Sequence, residues 1–391
     1  MVSCFDLWRI SSQLTKACSE SGFTFGGKSM VLAGDFAQLP PPSSGSSLYS
    51  YSVSASSTQY AQHCGIGKAL WHEFTTVVIL RQNMRQRGMS AEDVRFRTAL
   101  ENMRYCQCTR EDEKLILSRV WRPTVENGGQ LPKEFSDVSV ITAWNAHRDA
   151  INAVRVKDFA RDNGKKLYHF HSIDKWAATR DFSSVRQAQR AYHSIADPSR
   201  TSDHICAQLQ QALWELPPAI TENQAGVLSL CEGMPVLLKY NEATELCATN
   251  GAEAVVESWD SHVDSGRDVL DVLYVRLTSP PRDVQLPGLP VNVIPLTRSR
   301  KTVTCTLPIN DIQVSVSREQ VMILPNFAMT DYCSQGRTRP LNLLHLAHCR
   351  NHQAFYTALS RSSSLRGTLL LGTFNTAKIR GGASKKLRRE Y

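Results

Sequence analysis

Short apolar runs that end in polar turns mark the first part of the chain. Residues 29–33 form one such run, which Gly34 and Asp35 stop, and residues 74–80 form a second, rich in Thr and Val. Apolar runs of this length are typical of buried parallel strands. Open α/β sheets hold ligands where their strands end, so the polar residues after each run are candidate site residues.

Helix signals alternate with these runs. Ser90 and Thr109 each precede acidic residues and an apolar stripe, which predicts capped helices after both. A strand is predicted over residues 138–142 and a helix from His147 to about Phe159, and this alternation indicates a second α/β domain. Residues 165–218 show only a weak helical pattern.

The pattern changes to short strands after Pro217 and Pro218. Turn dipeptides such as Asn250-Gly251 separate several of these strands. Strands are predicted over residues 227–231, 234–240, 254–259, 269–277, 301–307 and 312–316. A small β-barrel from about Val227 to Gln320, inserted into the α/β domain, accounts for this pattern. After it, a last strand is predicted over residues 368–372.

Composition narrows the functional classes. The chain of 391 residues can form two or three domains, and its net charge of +9 favours an anionic partner such as nucleic acid. Eleven scattered cysteines favour a reduced, intracellular protein. No apolar run approaches the roughly 20 residues that cross a bilayer. His345, His348, Cys349 and His352 are interpreted as helix-face residues, and no metal site is predicted.

Two patterns offer groups for a nucleotide. Gly-Asp-Phe-Ala-Gln-Leu-Pro-Pro at residues 34–41 places Asp35 and Gln38 after a predicted strand. An amide there can orient a water or contact a phosphate oxygen, although a polar turn is the alternative. Asn-Met-Arg-Gln at residues 83–86 places Arg85 where it can reach a phosphoryl group, and a surface arginine is the alternative.

Two later patterns complete the set. Residues 327–336 (Phe-Ala-Met-Thr-Asp-Tyr-Cys-Ser-Gln-Gly) offer hydroxyls and helix-start amides for a nucleic-acid phosphate, or a capped helix without a ligand. Residues 355–361 (Phe-Tyr-Thr-Ala-Leu-Ser-Arg) place Arg361 at a helix end, where the alternative is an arginine facing solvent.

In this order, the four patterns resemble the later motifs of superfamily-one helicases that move 5′ to 3′, specifically the petite-integration-frequency (Pif) family and its Helitron-type relatives. Residues 68–71 (Lys-Ala-Leu-Trp) and 232–238 (Glu-Gly-Met-Pro-Val-Leu-Leu) also resemble the family. The resemblance implies an ATP-dependent DNA helicase of repair and recombination, with ATP and Mg²⁺ as cofactors and single-stranded DNA as partner. It further implies a monomer, without a membrane partner, inside the cell. A nuclear location would follow if the basic residues 385–389 act as a signal rather than as a solvated terminus.

The resemblance also implies residue roles. Gln38 would sense the γ-phosphate, Arg85 would be the arginine finger, and Arg361 would be a second phosphate-contacting arginine; together these are the implied catalytic residues. Asp35 would belong to the same nucleotide site.

The remaining implied roles concern DNA. Thr330 and Ser334 would contact DNA, and Gln335 and Gly336 would link DNA to the nucleotide. Relatives usually place a lysine or another polar residue where this chain has Cys333, which puts a minor DNA contact in question.

The expected fold is α/β, with two RecD/RecA-like P-loop NTPase domains, the first incomplete, and an SH3-like barrel inserted in the second. The implied divisions are residues 1–82 for the first motor domain, 83–226 and 321–380 for the second, 227–320 for the barrel and 381–391 for the tail.

One match to a phosphate loop is expected to be misleading. Residues 22–29 satisfy G-x-x-x-x-G-K-[ST], but Lys28 and Ser29 lead into a predicted strand instead of a helix. Residues 1–3 resemble the segment that follows the Asp-Glu pair of the family, so the chain is expected to lack that pair and the true phosphate loop. Negligible ATP hydrolysis is therefore predicted for this chain. The alternatives are a non-catalytic module for single-stranded DNA and an inactive remnant.

Overall fold

A computed structural model describes residues 2–42, 45–50, 57–124, 129–179, 181–192, 205–309 and 311–390. The chain divides into two compact units: the first comprises Met1–Ala143 and Ser334–Tyr391, and the second comprises Trp144–Cys333. The predicted boundaries after residues 82, 226, 320 and 380 do not coincide with this division, and they stay predictions.

The described residues contain helices in both units, and most begin at a side-chain cap. The α-helices are α1 (Cys4–Cys18), α2 (Gln59–His72), α3 (Ala91–Arg104), α4 (Arg110–Leu117), α5 (Asn145–Asp162), α6 (Phe182–Ala191), α7 (Ala207–Glu215), α8 (Asp331–Ser334), α9 (His352–Leu359) and α10 (Lys385–Arg388). The predicted caps Ser90 and Thr109 accept hydrogen bonds from the amides of Asp93 and Asp112, which confirms both predicted helix starts.

The strands are short in the first unit and longer in the second. They are β1 (Val120–Trp121), β2 (Val140–Thr142), β3 (Tyr168–His171), β4 (Ile173–Trp176), β5 (Val227–Leu230), β6 (Pro235–Leu238), β7 (Glu253–Asp264), β8 (Arg267–Leu277), β9 (Val293–Thr297), β10 (Ser299–Thr306), β11 (Gln313–Gln320), β12 (Ile323–Pro325), β13 (Ala328–Thr330), β14 (Asn342–His345) and β15 (Thr368–Leu371).

A parallel sheet organises the first unit. Its strands pair in the order β1-β15-β14-β2. Ile141, Leu344 and Leu370 are fully buried in it, as expected for a parallel sheet. Helix α9 packs against β14, and α3 packs against α9. The strands predicted over residues 138–142 and 368–372 are thereby confirmed.

Helices α1 and α2 form a second packed layer of this unit. Leu7, Cys64 and Leu70 are buried between them. A Cβ atom on Gly67 would stand 1.7 Å from the Cys4 carbonyl oxygen, so only glycine permits this approach of the two helices.

The two strands predicted over residues 29–33 and 74–80 are wrong. Neither segment is a strand, and Val31 and Leu80 are 91% and 90% exposed. No neighbouring strand of the described residues supplies hydrogen bonds to either segment. A parallel strand requires such a neighbour, so the apolar pattern alone does not produce a sheet here.

The second unit is rich in antiparallel sheet. One sheet has the order β12-β6-β7-β8-β9, a second has β10-β11-β4, and a third pairs β3 with β5. The six strands predicted between residues 227 and 316 are present, whereas β9 was not anticipated. Strands β3 and β4 replace part of the weak helix predicted after residue 165, and they pair with strands of the predicted insertion. Its SH3-like character stays a prediction.

A buried ion pair connects two parts of this unit. Arg318 of β11 and Asp174 of β4 are both inaccessible to solvent, and the guanidinium donates to both carboxylate oxygens at 2.8 and 2.9 Å. Arg318 also donates to the carbonyl oxygens of Gln224 and Leu213. Each of the three guanidinium nitrogens therefore has at least one acceptor.

The basic tail ends in a short helix. Leu387 of α10 is buried beside Ala383 and Cys106, and Ser384 caps the helix. Residues 385–388 are therefore anchored, in contrast to the frayed terminus considered as one alternative. Among the described helices, none has the length and apolar character needed to traverse a bilayer.

Candidate phosphate-binding site

The acidic loop after residue 33 is held by hydrogen bonds within the first unit. Asp35 accepts from the Ala37 amide at 3.0 Å and from the Gln38 side chain at 3.2 Å. It also forms an ion pair of 3.0 Å with Arg104 at the end of α3. The Gln335 side chain in turn donates to the side-chain oxygen Oε1 of Gln38 at 3.2 Å. The sensor candidate Gln38 is therefore fixed between an acid and an amide.

Helix α9 holds the same loop in place. The Leu39 amide donates to the Thr357 hydroxyl at 3.1 Å, and the Gln353 side chain donates to the Phe36 carbonyl oxygen at 2.7 Å. These contacts link residues more than 300 positions apart in sequence. Helix α9 therefore holds both this loop and Arg361, which follows the end of the helix.

Arg85 lies against the segment that follows α9. Its Nε atom donates to the Thr338 hydroxyl at 3.0 Å, and its Nη1 atom donates to the Ser360 carbonyl oxygen at 3.0 Å. The neighbouring Gln86 side chain donates to the carbonyl oxygens of Ser360 and Ser362. Arg85 is therefore a half-buried side chain held by two hydrogen bonds, and its role at a phosphoryl group stays a prediction.

Arg361 is the most deeply buried arginine of this unit. It is 1% exposed, and it donates to the Thr357 carbonyl oxygen at 2.8 Å and to the Ser360 hydroxyl at 2.9 Å. The alternative of an arginine facing solvent is therefore wrong. In the described residues, Arg361 forms no ion pair with a carboxylate.

The two arginines disfavour each other's charge. Burial and then the positive charge of Arg85 lower the pKa of Arg361 to about 10, and burial also lowers the pKa of Arg85. Two guanidinium groups that lack a carboxylate partner in the described residues create a local surplus of positive charge. A bound anion would relieve it.

The two residues implied to contact DNA are buried. Thr330 is buried, and its hydroxyl accepts from the Cys333 amide at 3.4 Å, while Ser334 is fully buried. The Lys239 ammonium lies 4.0 Å from the Cys333 sulfur. Gly336 has φ +86° with open space around its Cα, so it is a permissive turn position. The DNA roles of these residues stay predictions.

The Gly-Lys-Ser match lacks the geometry of a phosphate loop. Residues 24–27 form a single turn with left-handed Phe25, Gly26 and Gly27, and neither a strand before it nor a helix after it is present in the described residues. A Cβ atom on Gly26 would lie 2.7 Å from the Leu14 carbonyl oxygen. Gly26 therefore permits close packing against α1.

The residues of this site are better suited to bind phosphate than to bind Mg²⁺. Mg²⁺ needs carboxylate oxygens, and Asp35 already accepts from Arg104, Gln38 and Ala37. No group of three His, Cys, Asp or Glu side chains in the described residues is arranged to hold a metal ion. Residues 345–352 lie mostly in a loop, because α9 begins only at His352.

Three participants of the site were missed in the sequence. Arg104, Thr357 and Gln86 connect the loop, α9 and the arginine segment. Arg104 ends a predicted helix, where a basic residue is ordinary, so no local pattern connects it with Asp35. The signal for Gln86 was its place within the Asn-Met-Arg-Gln pattern.

Solved structures with a similar fold exist. The chain is similar to a Pif1 helicase from Candida albicans, with a TM-score of 0.61 and 18% identity over 100% of this chain and 74% of that chain. It is similar to Bacteroides Pif1 bound to single-stranded DNA, with a TM-score of 0.58 and 17% identity over 97% and 70%.

A third similar structure is Bacteroides Pif1 in complex with ADP-AlF3 and single-stranded DNA, with a TM-score of 0.56 and 17% identity over 96% of this chain and 69% of that chain. No family model matches the chain, and no curated protein matches it either. The likeness confirms the α/β fold expected from the motifs: this chain has the fold of the Pif1 helicases.

Proposed function

We propose that this protein is the phosphate-sensing and DNA-binding part of a DNA helicase motor of the Pif type. The observation that carries the proposal is the proximity of half-buried Arg85 to buried Arg361, neither of which forms an ion pair with a carboxylate in the described residues. Guanidinium groups recognise phosphate oxygens by charge-assisted hydrogen bonds. The polyphosphate of ATP is the ligand that fits the fold.

Gln38 supports the proposal because it lies in the same hydrogen-bonded network. Its amide nitrogen donates to Asp35, and its carbonyl oxygen accepts from Gln335. A γ-phosphate that competes for the Gln38 amide would disturb the Gln335 contact. Gln335 belongs to the segment that the resemblance assigns to linking DNA and nucleotide, so this contact offers a route for coupling.

The chain is expected to bind nucleotide without efficient turnover. ATP supplies the phosphoryl group, and in working motors a metal ion and carboxylates complete its electrostatic support. The described residues offer no such carboxylate set near Asp35. The remaining arginines can bind and orient phosphate, but they leave most of the barrier in place.

Calorimetric titration with ATP tests the site. Wild type should bind ATP, and Arg361→Gln should weaken binding by about tenfold or more through loss of a charge-assisted contact. The matched control is Arg95→Gln, an exposed arginine of α3 without a partner in the described residues, which should bind as wild type does. Equal affinity in wild type and Arg361→Gln would refute the site.

Hydrolysis is measured separately, with and without a single-stranded oligonucleotide. Phosphate release should not rise above the buffer rate in either case. Stimulation by DNA that survives Gln38→Ala would contradict the expected inactivity.

The second candidate is a non-catalytic module for single-stranded DNA. The surplus of nine positive charges favours it. It requires that the affinity for single-stranded DNA falls with salt and does not change when ATP is added. The motor proposal requires an affinity for DNA that changes when ATP is added. Undetectable oligonucleotide binding at low salt would remove both DNA proposals.

A further inference from the structure

A cavity of about 620 Å³ is lined entirely by residues of the second unit. Its walls include residues 171–175, which span the end of β3 and most of β4, helix α7, and residues 264–267 at the turn from β7 to β8. Cavities that hold small ligands have volumes of about 300 to 1,000 Å³. This one is large enough for a nucleotide.

An aromatic platform forms one wall. The Trp214 indole donates to the Ser172 carbonyl oxygen at 3.0 Å, which fixes the ring. The His171 ring meets Trp214 edge-on with a centroid distance of 4.7 Å, and the Arg267 guanidinium lies 5.5 Å from the Trp214 centroid. Indole and guanidinium planes are surfaces on which nucleobases stack.

Two cations at this cavity lack an anionic partner. Lys175 and Arg267 are exposed, and within the described residues neither side chain forms a hydrogen bond or an ion pair. Asp174 of the same wall is neutralised by Arg318. The remaining carboxylate, Asp264, already accepts from the Ser265 hydroxyl. Among the residues that line the cavity, the two cations therefore outnumber the unneutralised carboxylate and are available to a phosphate.

A hydrogen-bond acceptor is available for the edge of a base. Gln210 donates its amide nitrogen to Asp174 at 3.1 Å, so its orientation is fixed. In the described residues, its carbonyl oxygen makes no hydrogen bond and can accept from an exocyclic amino group or a ring N–H. Stacking surface, acceptor and cations together match a base that carries a phosphate.

We propose that this cavity binds a nucleotide, with its base against Trp214 and Arg267 and its phosphate at Lys175 and Arg267. The ligand is a free mononucleotide or an unpaired nucleotide of a DNA strand, since both present the same chemistry. The proposal does not depend on the phosphate site, because all of its residues belong to the second unit.

Photochemical cross-linking tests the proposal with two probes. One is 5-bromo-2′-deoxyuridine monophosphate, and the other is an oligothymidine with a single 5-bromodeoxyuridine. After irradiation, mass spectrometry locates the adducts, which should lie on the peptide that contains Trp214. The double variant Lys175→Ala/Arg267→Ala should reduce the adduct yield by about tenfold.

The matched control is Arg190→Ala, which removes an exposed cation of α6 that is outside the cavity. It should leave the yield unchanged, and circular dichroism should show the same fold for all variants. An adduct at Trp214 from the mononucleotide identifies a site for free nucleotides, and one from the oligonucleotide alone identifies a site for strands. Absence of adducts near Trp214 with both probes, or a yield that ignores loss of both cations, overturns the proposal.

Discussion

Two buried arginines, one in each unit, have opposite surroundings. Arg318 is inaccessible to solvent and donates to both oxygens of Asp174 and to two carbonyl oxygens. Arg361 is 1% exposed, but among the described residues its side chain donates only to one carbonyl oxygen and one hydroxyl. Of the charged groups that shift its pKa, Arg85 has the largest effect and lowers it.

We propose that the difference separates a structural arginine from one that binds an anion. Burying a guanidinium costs free energy that a carboxylate and good hydrogen bonds can offset. Arg318 has those partners, so its pair with Asp174 ties β4 to β11. The burial of Arg361 costs free energy that a bound anion can offset. This is the physical basis for proposing that Arg361 binds phosphate.

The largest effect is expected for Arg318→Gln. The substitution leaves the Asp174 carboxylate buried without its cation, which should lower the free energy of unfolding by about 3–5 kcal/mol. Urea denaturation measures it. Arg300→Gln is the control, since Arg300 is 64% exposed in its pair with Glu319 and should cost about 1 kcal/mol or less. Equal losses in both variants would contradict the comparison.

A smaller effect on stability is expected for Arg361→Gln. Two hydrogen bonds are lost, but the cost of a buried, unpaired charge is removed at the same time, so the free energy of unfolding should change by less than about 1 kcal/mol. The same urea experiment without ligand measures it. A loss as large as that expected for Arg318→Gln would show that Arg361 is structural.

A similarly small effect is expected for Asp35→Asn. This change removes the charge that pairs with Arg104, whose side chain is 32% exposed, and solvent screening limits the loss of stability to about 1 kcal/mol. Thermal denaturation measures the loss, with Glu257→Gln in the exposed pair with Arg276 as control. A loss above about 3 kcal/mol would mean that Asp35 supports the fold rather than the loop that holds Gln38.

The sequence predicted elements well where local signals suffice. The caps Ser90 and Thr109 and the strands of the second unit follow from side-chain hydrogen bonding and alternation, which operate over a few residues. The strand predicted over residues 74–80 was wrong because a parallel strand exists only with a neighbour, and no local pattern reports one.

The candidate site was only partly predictable for a related reason. Motif order located Gln38, Arg85 and Arg361, but burial and pairing depend on contacts distant in sequence. The bond between Leu39 and Thr357 spans 318 positions, and the ion pair between Asp35 and Arg104 spans 69. Likewise, nothing local distinguishes the paired Arg318 from the unpaired Arg361.

The most direct test of the central claim is the free energy of unfolding as a function of pyrophosphate concentration, measured in wild type and Arg361→Gln without metal. A ligand that binds only the folded state stabilises it in proportion to the logarithm of its concentration once the site is saturated. We expect wild type to gain about 1.4 kcal/mol for each tenfold increase beyond saturation and Arg361→Gln to gain less over the same range. Equal gains in both proteins, or no gain in wild type, would contradict a phosphate site built on Arg361.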